Sequence, residues 1–192
     1  MKYKLILGSQ SPRRQQLLSD LGYSFTTRVI STDEKFPTDM LASRVAEFLA
    51  QEKGKAHVAL MGTDELVITA DTTVVLGQQV LNKPGNLTEA KQMLGLLSGK
   101  AHQVVSGVCL TTHRGQRSFS DSTTVYFNPL STEEIGYYVN VFQPLDKAGS
   151  YAIQEWIGKM GIARIEGSYY NVVGLPTEKL YQALKAYSLT PT

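Results

Sequence analysis

The spacing of apolar and polar residues alternates along the chain between the period of a strand and the period of a helix. In chain order, the first third predicts a strand over residues 3–7, a helix from residue 12 to about 21, a strand over 25–30, a polar loop over 31–39 and an amphipathic helix over about 40–57. Ser11 suits the N-cap of the first helix, Pro12 its first position and Gly22 its end.

The remaining two thirds of the pattern add further strands and helices. It predicts β-rich runs at 66–70 and 73–76 that meet around residues 71–72, followed by a hairpin through 77–79. A helix capped by Thr88 then stops at 98–99, and strands follow over about 102–112 and 117–127. A short helix begins at Thr132, and a last helix covers 176–187. Hairpins among these strands exclude a purely parallel, doubly wound sheet. The predicted fold class is therefore α/β with a mixed sheet, in two lobes around a cleft.

Composition indicates a compact and nearly neutral protein. The chain has 192 residues, of which 42% are hydrophobic and 19% charged, and its formal net charge is +2. At about 150 residues per domain, this length predicts a single domain over residues 1–192. A charged fraction below the usual ~25% argues against disorder. A net charge near zero argues against a nucleic-acid-binding surface, so an anionic ligand has to be met by a local cluster of cations.

Cysteine usage and the N-terminus bear on the compartment. Cys109 is the one cysteine of the chain, and its apolar neighbours predict a buried side chain rather than a nucleophile. The apolar stretch after Met1 is too short for a signal peptide, and no later run approaches ~20 apolar residues. We therefore expect a cytoplasmic protein without a membrane segment.

The first candidate for ligand binding lies where the first strand meets the first helix, in the segment SQSPRR (residues 9–14). The free N–H groups and positive dipole end of a helix N-terminus form an anion site. Ser9 adds a hydroxyl, and Arg13 and Arg14 add planar donors that suit phosphate oxygens. The alternative is an ordinary N-cap followed by two solvated arginines, and the segment alone does not separate the two. It is not a P-loop, because GxxxxGK[ST] occurs nowhere in the chain.

Two acidic segments are candidates for catalysis or metal binding. Asp71 lies at the end of an apolar run, where open α/β sheets place their ligands, and a carboxylate there can act as a base toward water or hold Mg²⁺. A turn aspartate that bonds its own backbone is the alternative, and Asp71 taken alone favours it. Asp33 and Glu34 in the polar loop can supply carboxylates to a metal, although loop acids are usually just solvated.

Two lysines and a glutamine complete the candidates. Lys83 follows a predicted strand and precedes Pro84, which fixes a turn, while Lys53 lies on a charged helix face. Each of them, taken alone, is typical of a solvated lysine. Gln154 lies in a stretch rich in glycine and hydrogen-bonding side chains, and its amide can read a base edge through a donor and an acceptor.

Taken together, these segments resemble the Maf-like nucleoside triphosphate pyrophosphatases, from residue 5 to about residue 181. The resemblance rests on the order and spacing of SQSPRR (9–14), DE (33–34), ADT (70–72), NKP (82–84), LSGK (97–100), SGV (106–108), DKAG (146–149) and the stretch 167–176. It implies an elongated, twisted mixed sheet flanked by helices, with two lobes around a nucleotide cleft, similar to inosine triphosphate pyrophosphatases. It also implies a homodimer and a metal-dependent enzyme that splits nucleoside triphosphates into a monophosphate and pyrophosphate.

The same resemblance implies roles for individual residues. Asp71 is implied as the catalytic acid–base residue, and Glu34 and Asp71 as ligands of a divalent metal, Mg²⁺ or Mn²⁺. The residues implied to contact the triphosphate are Ser9, Arg13, Lys53 and Lys83, and Arg14 beside Arg13 is expected to bind the substrate as well. In the branch that resembles dTTP/UTP pyrophosphatases, the residues implied to select the base are Arg13, Thr72 and Gln154.

Two other functions stay open on the sequence. One is a pyrophosphatase for another nucleotide, such as a methylated guanosine or a deaminated purine nucleotide. The other is a nucleotide-binding regulator, of cell division for example, that needs no turnover. The charged site residues favour an enzyme, because a binding protein does not require Asp71. A nucleic-acid-binding role through Arg13 and Arg14 lacks an extended basic stripe.

Overall fold

The computed structural model describes residues 3–191, which form seven strands and seven α-helices. The strands are β1 Lys4–Leu7, β2 Thr26–Thr27, β3 Glu65–Leu76, β4 Gln79–Leu81, β5 Ala101–Thr112, β6 Gly115–Phe127 and β7 Ile162–Glu166. The helices are α1 Pro12–Asp20, α2 Ala42–His57, α3 Leu87–Leu97, α4 Thr132–Phe142, α5 Trp156–Gly161, α6 Tyr169–Val173 and α7 Thr177–Lys185. No helix within residues 3–191 combines the length and the apolar character that crossing a membrane requires.

The strands form one mixed sheet in the order β2-β1-β3-β5-β6-β7, with β4 paired to β3. Strand β1 is parallel to both β2 and β3, whereas β3 with β4 and β6 with β7 are antiparallel pairs. The hairpin from β3 to β4 uses a two-residue turn in which Gly77 has a φ of 63°, a conformation that glycine adopts without a steric penalty. The mixed α/β class predicted from the sequence is thus confirmed.

The chain divides into two compact units. The first unit comprises residues 3–72, 106–121 and 174–191, and the second comprises 73–105 and 122–173. Strands β3, β5 and β6 each contribute residues to both units. The single domain expected over the whole chain stays a prediction.

In the first unit, helix α2 packs directly against the sheet. Val45, Ala46 and Ala50 on α2 are fully buried. The hydroxyl of Thr69 on β3 donates a hydrogen bond of 2.6 Å to the carbonyl oxygen of Ala50. At Gly107 on β5, a Cβ atom would lie 2.4 Å from the carbonyl oxygen of Ala46, so only glycine permits this approach. The backbone of α2 is therefore fixed to two neighbouring strands.

In the second unit, α3 and α4 pack together over one apolar core. Its largest members include Leu94 and Leu97 of α3, Tyr138 of α4, and Phe127 and Tyr151. The capping box at Ser131 and Glu134 begins α4. Cys109, which lies in the first unit, is fully buried as predicted, and burial raises the pKa of its thiol.

Two predicted elements were placed wrongly. Asp71 does not end a strand, because β3 continues without a break through the two β-rich runs that meet there. Asn86 rather than Thr88 caps α3: its side chain accepts from the backbone N–H of Glu89 at 2.9 Å, and the Glu89 carboxylate accepts from Gly85 N–H. Asn three residues before Glu is the stronger N-terminal signal.

One strand is shorter than predicted, and three elements of the structure are absent from the prediction. The strand predicted over residues 25–30 is reduced to the two residues of β2, which pair with Ile6 and Leu7. The elements α5, β7 and α6 were not predicted. Their sequences are short, and β7 has no fully buried position, so they carry little hydrophobic periodicity.

A buried histidine in the second unit is expected to make the protein sensitive to acid. His102 Nε2 lies 2.7 Å from the hydroxyl of Tyr151, and burial lowers the pKa of His102 from 6.5 to about 4. As the pH falls from 6.5 towards about 4, the unfolded chain binds a proton at His102 and the folded protein does not. The free energy of unfolding therefore falls, by about 2 kcal/mol between pH 7 and pH 5 from this group.

Urea unfolding at the two pH values measures this contribution. The His102→Gln variant lacks the titrating ring and is expected to lose about 2 kcal/mol less than the wild type over the same interval. An equal loss of stability in both proteins would contradict the assignment.

Candidate functional site

Two carboxylates meet one ammonium group on the first unit. Lys53 Nζ on α2 lies 2.5 Å from Asp71 Oδ1 on β3 and 2.8 Å from Glu34 Oε1 in the loop that precedes α2. The side chains of Lys53 and Asp71 are 17% and 13% exposed, whereas that of Glu34 is 47% exposed. At the Lys53 ammonium, two carboxylates therefore face one positive charge.

The backbone around Lys53 is held from two sides. The Thr69 hydroxyl ties α2 to β3 two residues before Asp71. The buried ring of His57 lies with Nδ1 2.8 Å from the carbonyl oxygen of Lys53 and Nε2 2.9 Å from that of Arg28. The positions of Asp71 and Lys53 are therefore set by hydrogen bonds that involve neither of the two charged groups.

The segment SQSPRR forms the expected strand–turn–helix junction. Ser11 caps α1, since its side chain accepts from Arg14 N–H, and Pro12 is the first helical residue. The Ser9 side chain is buried, and its oxygen accepts from Ser11 N–H at 3.2 Å. Arg13 is half-buried. The backbone N–H groups at the start of α1 and the Ser9 hydroxyl thus lie together in this turn, as an anion site requires.

Arg14 bonds protein groups of the same unit and is not simply solvated. Its Nε donates to the carbonyl oxygen of Gly174 at 2.9 Å and its Nη2 donates to Thr72 Oγ1 at 3.0 Å. The Thr72 hydroxyl also lies 2.8 Å from that of Ser106, which is fully buried. Burial lowers the pKa of the Arg14 guanidinium, and the negative charge of Asp71 partly opposes this. Arg14 therefore connects α1 to β3 and to residue 174.

The other two candidates lie in the second unit. Lys83 is exposed in the loop after β4, next to Asn82, whose carbonyl oxygen accepts from Gly149 N–H at 3.3 Å. Gln154 occupies the third position of a turn closed by a hydrogen bond of 3.1 Å from Glu155 N–H to the carbonyl oxygen of Ala152. The Oε1 atom of Gln154 is buried and has no hydrogen-bond partner among residues 3–191. An acceptor in this state is suited to a donor on a ligand.

The carboxylate pair fits a metal that is shared with a substrate. Within the described range, 3–191, no group of three or more His, Cys, Asp or Glu side chains could hold a metal by itself. Mg²⁺ commonly takes one or two carboxylates and completes its shell with phosphate oxygens and water. Glu34 and Asp71, which already converge on the Lys53 ammonium, are the residues that match this donor set.

Sequence reasoning missed the residues that hold the candidates in place. Ser106, Thr69 and His57 are buried polar residues in apolar surroundings. Such residues are usually hydrogen-bonded, so their positions in the apolar runs were the available signal. The sequence distance between partners, 34 residues from Thr72 to Ser106, explains why no local pattern pairs them.

Comparisons with known proteins identify the family of this chain. The family model described as Maf-like protein matches residues 4–187. A protein from Phocaeicola vulgatus named dTTP/UTP pyrophosphatase is 52% identical over 185 residues, and one of the same name from Bacteroides thetaiotaomicron is 49% identical over 185 residues. Both alignments cover 96% of this chain and 96% of the relative.

A solved structure supports the fold. The Staphylococcus aureus Ham1 protein superposes with a TM-score of 0.52 and 14% sequence identity, covering 97% of this chain and 100% of that protein. At this identity the likeness concerns the fold alone. The family match over almost the full chain and the two relatives near 50% identity establish that the chain belongs to the Maf-like protein family.

Proposed function

We propose that the protein hydrolyses nucleoside triphosphates between the α- and β-phosphates, with dTTP and UTP as the preferred substrates. The observation that carries this proposal is the convergence of Asp71, Lys53 and Glu34 on the first unit. The names of the relatives at 52% and 49% identity supply the reaction and the bases. The same names make a nucleoside triphosphate the class of substrate to test first.

The proposed chemistry needs charge neutralisation and an aligned water rather than a covalent nucleophile. Asp71 takes a proton from the water whose oxygen bonds to the α-phosphorus, and the oxygen that bridges the α- and β-phosphates leaves with pyrophosphate. The position of Asp71 supports this role, because its carboxylate is held on β3 by the contact with Lys53 and can be aligned with a water. The groups proposed to bind the triphosphate are Ser9, Arg13, Arg14, Lys53 and Lys83.

A divalent metal, Mg²⁺ or Mn²⁺, is proposed as the cofactor, held by Glu34 and Asp71. When bound, the metal neutralises phosphate charge and polarises the phosphoryl oxygens. Lys53 supports this assignment, since it already keeps the two carboxylates within hydrogen-bonding distance of one cationic atom. Lys53 also limits the repulsion between Glu34 and Asp71 before a metal and a substrate arrive.

Base selection is proposed for Arg13, Thr72 and Gln154. The amide of Gln154 offers an acceptor and a donor, which match the N3–H donor and the C4 carbonyl acceptor of thymine or uracil. Cytosine presents the opposite pattern at these two positions, and a site built for one pattern leaves polar groups unpaired with the other.

The expected homodimer and cytoplasmic location stay predictions.

A nucleotide panel tests the proposal. We expect pyrophosphate release from dTTP and UTP at a kcat/KM at least about tenfold above that for dCTP and for purine nucleotides, because mismatched polar groups cost binding energy. Chelation with EDTA is expected to stop turnover, and added Mg²⁺ or Mn²⁺ to restore it. A preference for methylated or deaminated purine nucleotides would favour the alternative of a pyrophosphatase for another nucleotide. Tight dTTP binding without hydrolysis in either metal would favour the alternative of a nucleotide-binding regulator.

A further inference from the structure

We propose that Tyr138, with Glu155, positions Gln154 and thereby sets the preference for thymine and uracil over cytosine. This inference rests on the proposed function and assigns it two positioning residues, neither of which was a candidate in the sequence. Tyr138, Gln154 and Glu155 all lie in the second unit.

The hydroxyl of Tyr138 contacts both ends of the turn that carries Gln154. Tyr138 Oη accepts a hydrogen bond of 3.3 Å from Ala152 N–H, at the start of the turn. The same hydroxyl donates a short hydrogen bond to Glu155 Oε2, at its end. Glu155 N–H closes the four-residue turn onto the carbonyl oxygen of Ala152. The fully buried phenol of Tyr138 therefore contacts the first and the last residue of this turn.

Two further contacts fix the end of the turn. The Glu155 carboxylate lies 3.4 Å from Nζ of Lys147, a buried lysine that also pairs with Asp146. At Gly158 on α5, a Cβ atom would lie 1.8 Å from the carbonyl oxygen of Ile153, so the first turn of α5 lies directly on this backbone. The turn is thus held by a phenol, an ion pair and a close backbone contact.

The fixed turn matters because the amide oxygen of Gln154 receives no hydrogen bond from residues 3–191. This oxygen, Oε1, is buried, and it has no protein donor to fix its direction. The turn fixes the Cα position of Gln154 and the direction in which its side chain leaves the backbone. A fixed acceptor discriminates between N3–H of thymine and the N3 lone pair of cytosine, whereas a turn that can rotate accommodates both.

The phenol remains a donor at every pH of interest. Burial raises the pKa of Tyr138, and its hydrogen bond to Glu155 raises it further. The hydroxyl can therefore donate to the carboxylate and accept from Ala152 N–H at the same time. Phenylalanine at this position would fill the same space and make neither hydrogen bond.

The test compares Tyr138→Phe with Tyr137→Phe. Tyr137 is the neighbouring residue on α4, is half exposed and contacts Trp156 through its ring, so its substitution controls for loss of a phenol from the same helix. The measured quantity is the ratio of kcat/KM for dTTP to that for dCTP. We expect Tyr138→Phe to lower this ratio about tenfold, chiefly through a higher KM for dTTP, and Tyr137→Phe to leave it unchanged.

A double-mutant cycle separates positioning from a general loss of stability. In a Gln154→Ala background, Tyr138→Phe is expected to cause no further fall in the ratio, because both changes remove the same interaction. Glu155→Ala is expected to reproduce the fall and serves in place of Tyr138→Phe if that variant does not fold.

Two outcomes would overturn the inference without affecting the proposed function. If neither Tyr138→Phe nor Glu155→Ala changes the ratio of kcat/KM for dTTP to that for dCTP, the positioning role is contradicted and the proposed function is unaffected. A further tenfold fall in the Gln154→Ala background would show that Tyr138 acts independently of Gln154. A wild-type protein without preference for dTTP would instead overturn the proposed function, and the inference with it.

Discussion

Replacing Asp71 with asparagine is expected to lower kcat for dTTP by roughly a thousandfold while the protein stays folded. Asparagine has the size of aspartate, so packing on β3 is retained. It cannot take a proton from water, and it offers the metal and Lys53 a neutral oxygen in place of a charged one. The loss is expected in kcat, because the interaction with the attacking water is made in the transition state.

Asp64→Asn is the matched control for this experiment. Asp64 also pairs with a lysine, Lys4, at 2.8 Å in the same unit, but its side chain is 37% exposed and lies in the turn before β3. Its substitution removes one carboxylate and one ion pair and is expected to change kcat less than about twofold, since exposed ion pairs contribute little. Near-full activity in a folded Asp71→Asn protein would show that the catalytic base is another group.

Among glycine-to-alanine substitutions in the first unit, Gly107→Ala is expected to cause the largest loss of stability. The new Cβ would lie 2.3 Å from the backbone nitrogen of Glu47 and 2.4 Å from the carbonyl carbon and oxygen of Ala46. These are backbone atoms of α2 and cannot turn aside as a side chain does, so the helix has to move. We expect a loss of about 3 kcal/mol or more, which lowers Tm by about 10 °C.

The same substitution is expected to impair turnover, because α2 also carries Lys53. Gly95→Ala is the control: Gly95 lies on an exposed position of α3, with no atom within 4 Å of a new Cβ. Alanine there is expected to raise stability by about 0.5–1 kcal/mol and to leave kcat unchanged. Thermal unfolding measured by circular dichroism gives both shifts. A Gly107→Ala protein as stable as the wild type would show that α2 does not lie this close to β5.

Local signals in the sequence predicted most of the regular elements. The cap at Ser11 with Pro12, the apolar stripe of α2 and the hairpin at Gly77 each depend on residues close together in the chain, and each is confirmed. The break expected at Asp71 is wrong because polarity there reflects partners from other elements, and a strand tolerates a polar residue whose partners satisfy it.

The arrangement of the candidate site could be predicted only through the family resemblance. Lys53 taken alone is typical of a solvated lysine on a charged helix face, and its contact with Asp71 depends on how α2 packs on β3. The same holds for Arg14, which bonds Gly174, 160 residues further along the chain. No local pattern pointed to Tyr138 either, because its two hydrogen bonds join α4 to a turn that the periodicity did not detect.

Hydrolysis of dTTP in 18O-labelled water by the wild type and by Asp71→Asn, with enzyme in excess over substrate and Mg²⁺ present, tests the proposed reaction at its reacting atoms. We expect the wild type to form dTMP with one labelled oxygen and unlabelled pyrophosphate, and Asp71→Asn to form neither at a comparable rate. Label in orthophosphate together with dTDP would place the attack at the γ-phosphorus and contradict the proposed reaction. Labelled dTMP formed equally fast by both proteins would contradict the role of Asp71.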